Sequence, residues 1–348
     1  MTTPGGPGTP ATGGPGTPAT GGPGTPATGG PGTPTTGVLV MAHGTPRSLE
    51  EMEPFYTEIR RGRAPTAEQL AKLTDRYRAI GGTSPLNELT RRQVAGIAAA
   101  LEGAAPGRFT VVGGAKFASP RIEDAVAELG RAGVARIIGL VLAPHSSTVS
   151  VGEYDRRARA AIAAGPAVAE GGPELEMIDH WYQAAGFEAL MAGRVRNAVE
   201  TLAGAAGTAV RVLFSAHSVP CRVVEAGDSY PEQLESSARA VAEAAGVGDW
   251  SMAWQSAGRT GDEWLGPDIN AVISELPAAG VKGVVVCPIG FVSDHLEVLY
   301  DIDIEARATA QRAGIALART ASLNDDPLFC RLLADVVLDR AGDTAPHG

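Results

Sequence analysis

Val212-Leu213-Phe214-Ser215-Ala216-His217-Ser218-Val219-Pro220 begins as an apolar run and closes on small residues, a histidine and a proline. The pattern stands earlier as Val38-Leu39-Val40-Met41-Ala42-His43-Gly44-Thr45-Pro46, and the two segments share VLxxAHxxP. Working outward, short apolar runs recur at 109–112, 137–142, 175–178, 251–254, 284–288 and 315–318, separated by Ala-rich stretches of helical character. Near-continuous apolar strands alternating with helices predict parallel sheets covered on both faces. The strands divide into two sets of four, so the expected fold class is α/β with two similar domains. Gly171, Gly172 and Pro173 interrupt the chain and set the expected boundaries at 37–172 and 173–341, with 342–348 as a tail. In open α/β sheets ligands bind at strand C-termini. His43 and His217 both stand at such ends and are expected on opposite walls of one cleft.

Residues 5–36 are four copies of an eight-residue unit, GGPGTPAT, the last reading GGPGTPTT. A segment with so little to bury cannot offset the entropy of ordering, so 1–36 is expected to be a disordered tail. The formal net charge of −10 across 348 residues argues against nucleic acid as a partner. The longest apolar runs, 137–143 and 284–292, are too short to span a bilayer, and no cationic leader pattern opens the chain. The expectation is a cytoplasmic protein with no stable membrane association. Cys221, Cys287 and Cys330 form no CxxC pair and read as reduced packing thiols.

Three clusters carry chemistry. His217, flanked by small residues at a strand end, suits proton acceptance because imidazole titrates near neutrality. Taken alone it reads first as a partly buried histidine satisfied by backbone, and a second cluster shifts the balance. In the segment 290–305, Glu297, Asp301 and Glu305 are spaced i, i+4, i+8, and on a helix they share one face. That stripe reads as a solvated acidic face or, following an apolar strand, as hard oxygen donors that pass a divalent cation along a cleft wall. His295, two residues from Glu297, points off the face and reads as structural; His145 reads as a support residue, and His180 and His347 as surface residues. The third cluster joins Arg60, Arg61 and Arg63 to Arg76, Tyr77, Arg78 and Ser84. It suits bidentate recognition of carboxylates, or else is the solvated face of a helix end. GxGxxG, P-loop, HExxH and GxSxG motifs are missing from the sequence.

Taken together, VLVMAHGTP at 38–46, IRRGRAP at 59–65, DRYRAIGGTSPL at 75–86, LAPHSST at 142–148, SAHSVP at 215–220, WQSAG at 254–258, WLGP at 264–267 and GFVSDHLEVLYDID at 290–303 resemble the ferrochelatase family. The resemblance runs from Gly37 to about Arg340 and is nearest to the soluble, monomeric branch that metallates coproporphyrin III. It implies two Rossmann-like domains with the macrocycle between them, Fe²⁺ as substrate and no prosthetic group. Metal-binding and catalytic positions fall on His217 and Glu297, and a metal route on Asp301 and Glu305. Porphyrin contacts fall on Arg60, Arg76, Tyr77, Ser84 and Tyr154, with Trp264 on the apolar wall. It further implies a transient contact with the next haem-pathway enzyme.

Two departures stand out. His43 occupies the place where close relatives of this branch carry a tyrosine that ligates product iron, and imidazole is itself an iron ligand. Three scattered cysteines cannot supply the four that hold a [2Fe–2S] cluster in some relatives, so no iron–sulfur cluster is expected. Rival readings are a chelatase for another tetrapyrrole or metal such as cobalt, a non-catalytic porphyrin carrier, and a two-lobed solute-binding protein.

Overall fold

In the computed structural model the described residues are Met1, 35–165, 172–206, 210–258 and 261–342. The expected tail at 1–36 therefore lies outside them except for its ends, as does 342–348 except for Gly342. Thr36, the last residue of the repeat, is already in a strand.

The strands are β1 (Thr36–Ala42), β2 (Phe109–Ala115), β3 (Arg136–Val141), β4 (Glu174–Ile178), β5 (Val210–His217), β6 (Trp250–Gln255), β7 (Gly283–Cys287) and β8 (Ala316–Arg319). They form two four-stranded sheets, ordered β2-β1-β3-β4 and β6-β5-β7-β8, with every pair parallel. Helices α1 (Met52–Ile59), α2 (Ala67–Ala79) and α3 (Leu86–Ala104) follow β1; α4 (Ile122–Arg131) and α5 (Val151–Ala164) follow β2 and β3. The second lobe has α6 (Phe187–Ala206), α7 (Cys221–Glu225), α8 (Tyr230–Ala245) and α9 (Ile269–Glu275). After β7 come α10 (Leu296–Leu299), a π-helical turn (Asp301–Ala306) and α11 (Arg307–Ala313), and α12 (Pro327–Ala341) closes the chain.

Parallel strands covered on both faces have no solvated side, and β1, β5 and β7 are accordingly almost wholly buried. In each sheet the winding reverses beside the first strand, between β1 and β3 and between β5 and β7. Connections leave such a point in opposite directions and open a crevice at the strand C-termini. The loops after β1, β3, β5 and β7 therefore converge there, bringing in His43, His145, His217 and the 288–297 segment.

The expected boundary near 172 is corrected by the pairing. β4 follows Pro173 but hydrogen-bonds to β3, so the first sheet ends at Ile178. The second lobe is not closed at 341 either, because α12 returns to pack on α3 and β3 of the first. One apolar core joins Val38, Val40 and Ile97 to Phe214, Val285, Phe329 and Leu333, so the two lobes share their interior. Polar clamps flank it. Asp228 accepts from Ser147 Oγ, Thr148 N and Thr148 Oγ1, and Gln233 accepts from Ser146 N. On the other side Gln93 Nε2 donates to Ser293 Oγ at 2.9 Å and to the Asn324 carbonyl at 2.8 Å. The described residues from Thr35 to Gly342 belong to one compact unit.

Candidate active site

His217 is the last residue of β5, and its Nδ1 lies 2.5 Å from the Ser218 carbonyl. A carbonyl can only accept, so Nδ1 carries hydrogen and Nε2 faces Glu297 Oε1 at 3.5 Å. Glu297 belongs to the short α10, whose start is pinned from β6: Gln255 Nε2 donates to the Glu297 carbonyl, and Ser215 Oγ donates to Gln255 Oε1. These two expected partners, far apart in the chain, meet.

A third group meets them that was read as structural. His295 Nε2 stands 3.5 Å from Glu297 Oε2, with Nδ1 against the Ser293 carbonyl at 2.9 Å. Helical spacing excluded this residue, yet His295 is the extended cap before α10, with φ −157° and ψ −177°, and its ring is free to turn back. Each Glu297 oxygen thus has its own imidazole. Burial opposes the charge on Glu297, but His217 and His295 hold it well below the usual carboxylate range. Burial likewise opposes protonation of His217, and the Glu297 carboxylate outweighs it, raising His217 to about 9. In this state His217 is an imidazolium, not the neutral base that its type suggested.

His43 follows β1 of the first lobe, within reach of the Glu297 charge. Its Nδ1 is 2.9 Å from the Gly44 carbonyl, so Nδ1 carries the hydrogen and Nε2 offers a lone pair. Desolvation by the groups packed around it, with Lys116 adding, depresses it to about 4, against the Gly44 carbonyl and the Glu297 charge. Its ring packs on Phe117 at 4.7 Å between centroids, while the residue itself is exposed to solvent. Gly44 makes that turn possible: φ is +80°, and a Cβ there would come within 2.7 Å of Ala118 Cβ. Lys116, missed in the sequence, is 6% exposed, and its ammonium lies 4.3 Å from the Tyr154 ring centroid; burial lowers its pKa. Nothing marked it, because a single lysine after a strand has no spacing to read.

The acidic stripe forms as expected, by a different helix. The segment passes from α10 into the π-turn, where both Ile304 N and Glu305 N donate to the Tyr300 carbonyl. Four residues overshoot one α-turn and fall short of a wider π-turn, so the two deviations offset along Glu297, Asp301 and Glu305. Asp301 is buried, and burial, with Glu297 and Glu305 adding, pushes its pKa up to about 6 against the opposing pull of Arg76 and Ser256. Ser256 Oγ donates to Asp301 Oδ2, and Arg76 Nη2 to Asp301 Oδ1.

The expected porphyrin contacts divide. Arg60 donates to the Arg63 carbonyl, lies over Tyr56, and has no carboxylate partner among the described residues. Ser84 Oγ accepts from Leu86 N and stays half-buried. The Trp264 ring lies 6.2 Å from that of His217 between centroids and against Gly258, whose missing side chain leaves room for it. Tyr154 is 5% exposed beneath Lys116. Tyr77 is 3% exposed, with its hydroxyl 2.7 Å from Thr45 Oγ1 and its ring beside Met52 and Leu296; it is placed as a core residue between the lobes. Arg76 is engaged by Asp301. His145 is buried, stacked on Tyr182, and depressed to about 3 by burial. Cys287 and Cys330 are buried with thiols pushed up to about 12 and 11, in keeping with packing roles.

Two parallel four-stranded lobes facing one crevice, with a histidine from each first strand and a carboxylate stripe beside them, define a chelatase-type protein. The sirohydrochlorin chelatase SirB from Bacillus subtilis subspecies spizizenii, in complex with cobalt, superposes with a TM-score of 0.50 at 12% identity over 90% of this chain and 97% of that one. That likeness concerns the fold. A profile described as Ferrochelatase matches residues 35–341. A Herpetosiphon aurantiacus protein named Ferrochelatase is 43% identical over 86% of this chain and 97% of its own length. A Geobacillus kaustophilus protein named Coproporphyrin III ferrochelatase is 42% identical over 87% and 95%. This chain belongs to the ferrochelatase family, enzymes that insert iron into a porphyrin. Among the described residues, no helix is long and apolar enough to cross a membrane.

Proposed function

We propose that the protein inserts Fe²⁺ into coproporphyrin III as a cytoplasmic monomer without a prosthetic group or iron–sulfur cluster, its product passing to the next haem-pathway enzyme. The reading is supported by the coproporphyrin III ferrochelatases among its relatives and by Arg60, which has no carboxylate partner among the described residues and suits a substrate rich in carboxylates. The observation that carries it is the His217–Glu297 pair facing a neutral His43.

Insertion exchanges two pyrrole protons for one Fe²⁺. His217 begins as an imidazolium, so an arriving dication first displaces its proton to water and is then held by His217 Nε2 and Glu297. As the ion moves into the ring, one pyrrole proton restores the imidazolium and the other leaves to water. Arg60, with Ser84, anchors the periphery and directs binding energy into ring distortion, while Tyr154, buried beneath Lys116, supports the wall from within. Asp301 and Glu305 form the metal's approach. His43 Nε2 binds the iron from the opposite face after insertion.

Anaerobic Fe²⁺ insertion followed by absorbance should run about tenfold or more faster with coproporphyrin III than with protoporphyrin IX. Equal rates would remove the substrate assignment. His43→Ala should change the visible and EPR spectra of bound iron coproporphyrin, and unchanged spectra would exclude His43 as a ligand.

A further inference from the structure

One contact joins the arginine-bearing helix of the first lobe to the acidic stripe of the second. Arg76 on α2 of the first lobe reaches Asp301 in the π-turn of the second, lies 4.5 Å over the Tyr300 ring, and stands 3.9 Å from Glu305. The Asp301 side chain is 5% exposed, whereas Arg76 is 31% exposed and open to a competing partner. A fixed positive charge therefore occupies the acidic stripe at its middle carboxylate.

We infer that Arg76 is a substrate-operated latch: a carboxylate on the incoming porphyrin draws the guanidinium off Asp301, which then becomes a ligand for the metal ion. The inference rests on the reading of the crevice as the porphyrin slot and of the stripe as the metal route. A guanidinium gives its planar fork to one carboxylate at a time. An exposed propionate competes well because it approaches the accessible side of Arg76. Asp301, once released, is a buried carboxylate held by Ser256 alone and repelled by Glu297 and Glu305. A buried, unpaired charge is costly, and a dication relieves that cost. Ring and metal thus bind with positive coupling, and the coupling is reciprocal by linkage. Without the ring, the middle of the acidic stripe stays closed to divalent ions, while the His217–Glu297 pair remains open to them.

The test uses the full chain and Mn²⁺, with free Mn²⁺ counted by its EPR signal. Zinc coproporphyrin III fills the slot without being metallated. Mn²⁺ should bind about tenfold tighter with zinc coproporphyrin present than without it, and the zinc tetramethyl ester, which has no free carboxylate, should give no gain. Arg76→Met should bind Mn²⁺ tightly without any ring. Asp301→Asn, read by absorbance without metal, should bind coproporphyrin III about tenfold tighter than the parent, because Arg76 is then free. If Mn²⁺ affinity ignores the ring and Asp301→Asn leaves porphyrin affinity unchanged, the latch is overturned. If coproporphyrin III itself fails to bind or to be metallated, the reading of the crevice fails first and takes the latch with it.

Discussion

At the scale of single residues, Glu297 inverts what burial would do to its neighbours. Burial alone neutralises carboxylates and imidazoles alike, yet here Glu297 and His217 hold one another charged, while His43 stays neutral near Lys116. A divalent ion that takes His217 must therefore expel a proton. Below about 9, the affinity of the ring-free protein for Zn²⁺ should rise with pH, by up to about tenfold per unit, and calorimetry in buffers of different ionisation enthalpy should count one proton released. Binding without proton release at neutral pH would refute the exchange. Glu297→Gln removes the charge that outweighs burial, leaving only the Ser218 carbonyl and Asp301 to oppose it, so His217 should fall well below 9 in an NMR titration, and metallation should drop about a hundredfold or more. His217 and Glu297 were legible in the sequence as a strand-end histidine and an acidic stripe. His295 was not, because its role follows from an extended cap conformation that helical spacing does not describe.

Among the elements, the turn after β1 and the π-turn after α10 aim the two walls. Gly44 turns with positive φ against Ala118, and Gly44→Ala should cost about 1–3 kcal/mol in denaturant unfolding and displace His43. A variant of parental stability with parental iron spectra would show that the turn is not under this constraint. The strands themselves were readable, since fully buried parallel strands are continuous apolar runs. The π-turn was not: an i, i+4 pattern reads as α-helix, and the wider turn forms only where tertiary packing holds the Tyr300 carbonyl to accept from both Ile304 and Glu305.

Across the whole molecule, the lobes are fastened through Asp228, Gln93 and α12, and His145 is sealed in the joint. Its pKa is near 3 in the fold against an ordinary 6.5, so below 6.5 the unfolded chain binds a proton that the folded chain refuses. The stability present above 6.5 is lost as pH falls toward 3. His145→Phe removes that proton, and its stability should decline less steeply with acid, by up to about 1.4 kcal/mol per pH unit. Identical slopes in denaturant unfolding across pH 6.5 to 4 would reject a neutral buried His145. The domain boundary belongs to this scale too. A Gly-Gly-Pro break reads as a division, but β4 beyond it completes the first sheet, because pairing with β3 buries an otherwise open edge.

The sequence by itself determined the alternation of strands and helices, the histidine at each first strand's end and the acidic stripe. Each is a local matter of period, composition and short motif. Tertiary structure alone decided that His295 shares Glu297, that His217 is protonated while His43 is not, that Arg76 holds Asp301, and that α12 closes the first lobe. Those outcomes depend on burial and on distances between segments remote in the chain, and neither quantity is written in any single stretch of residues.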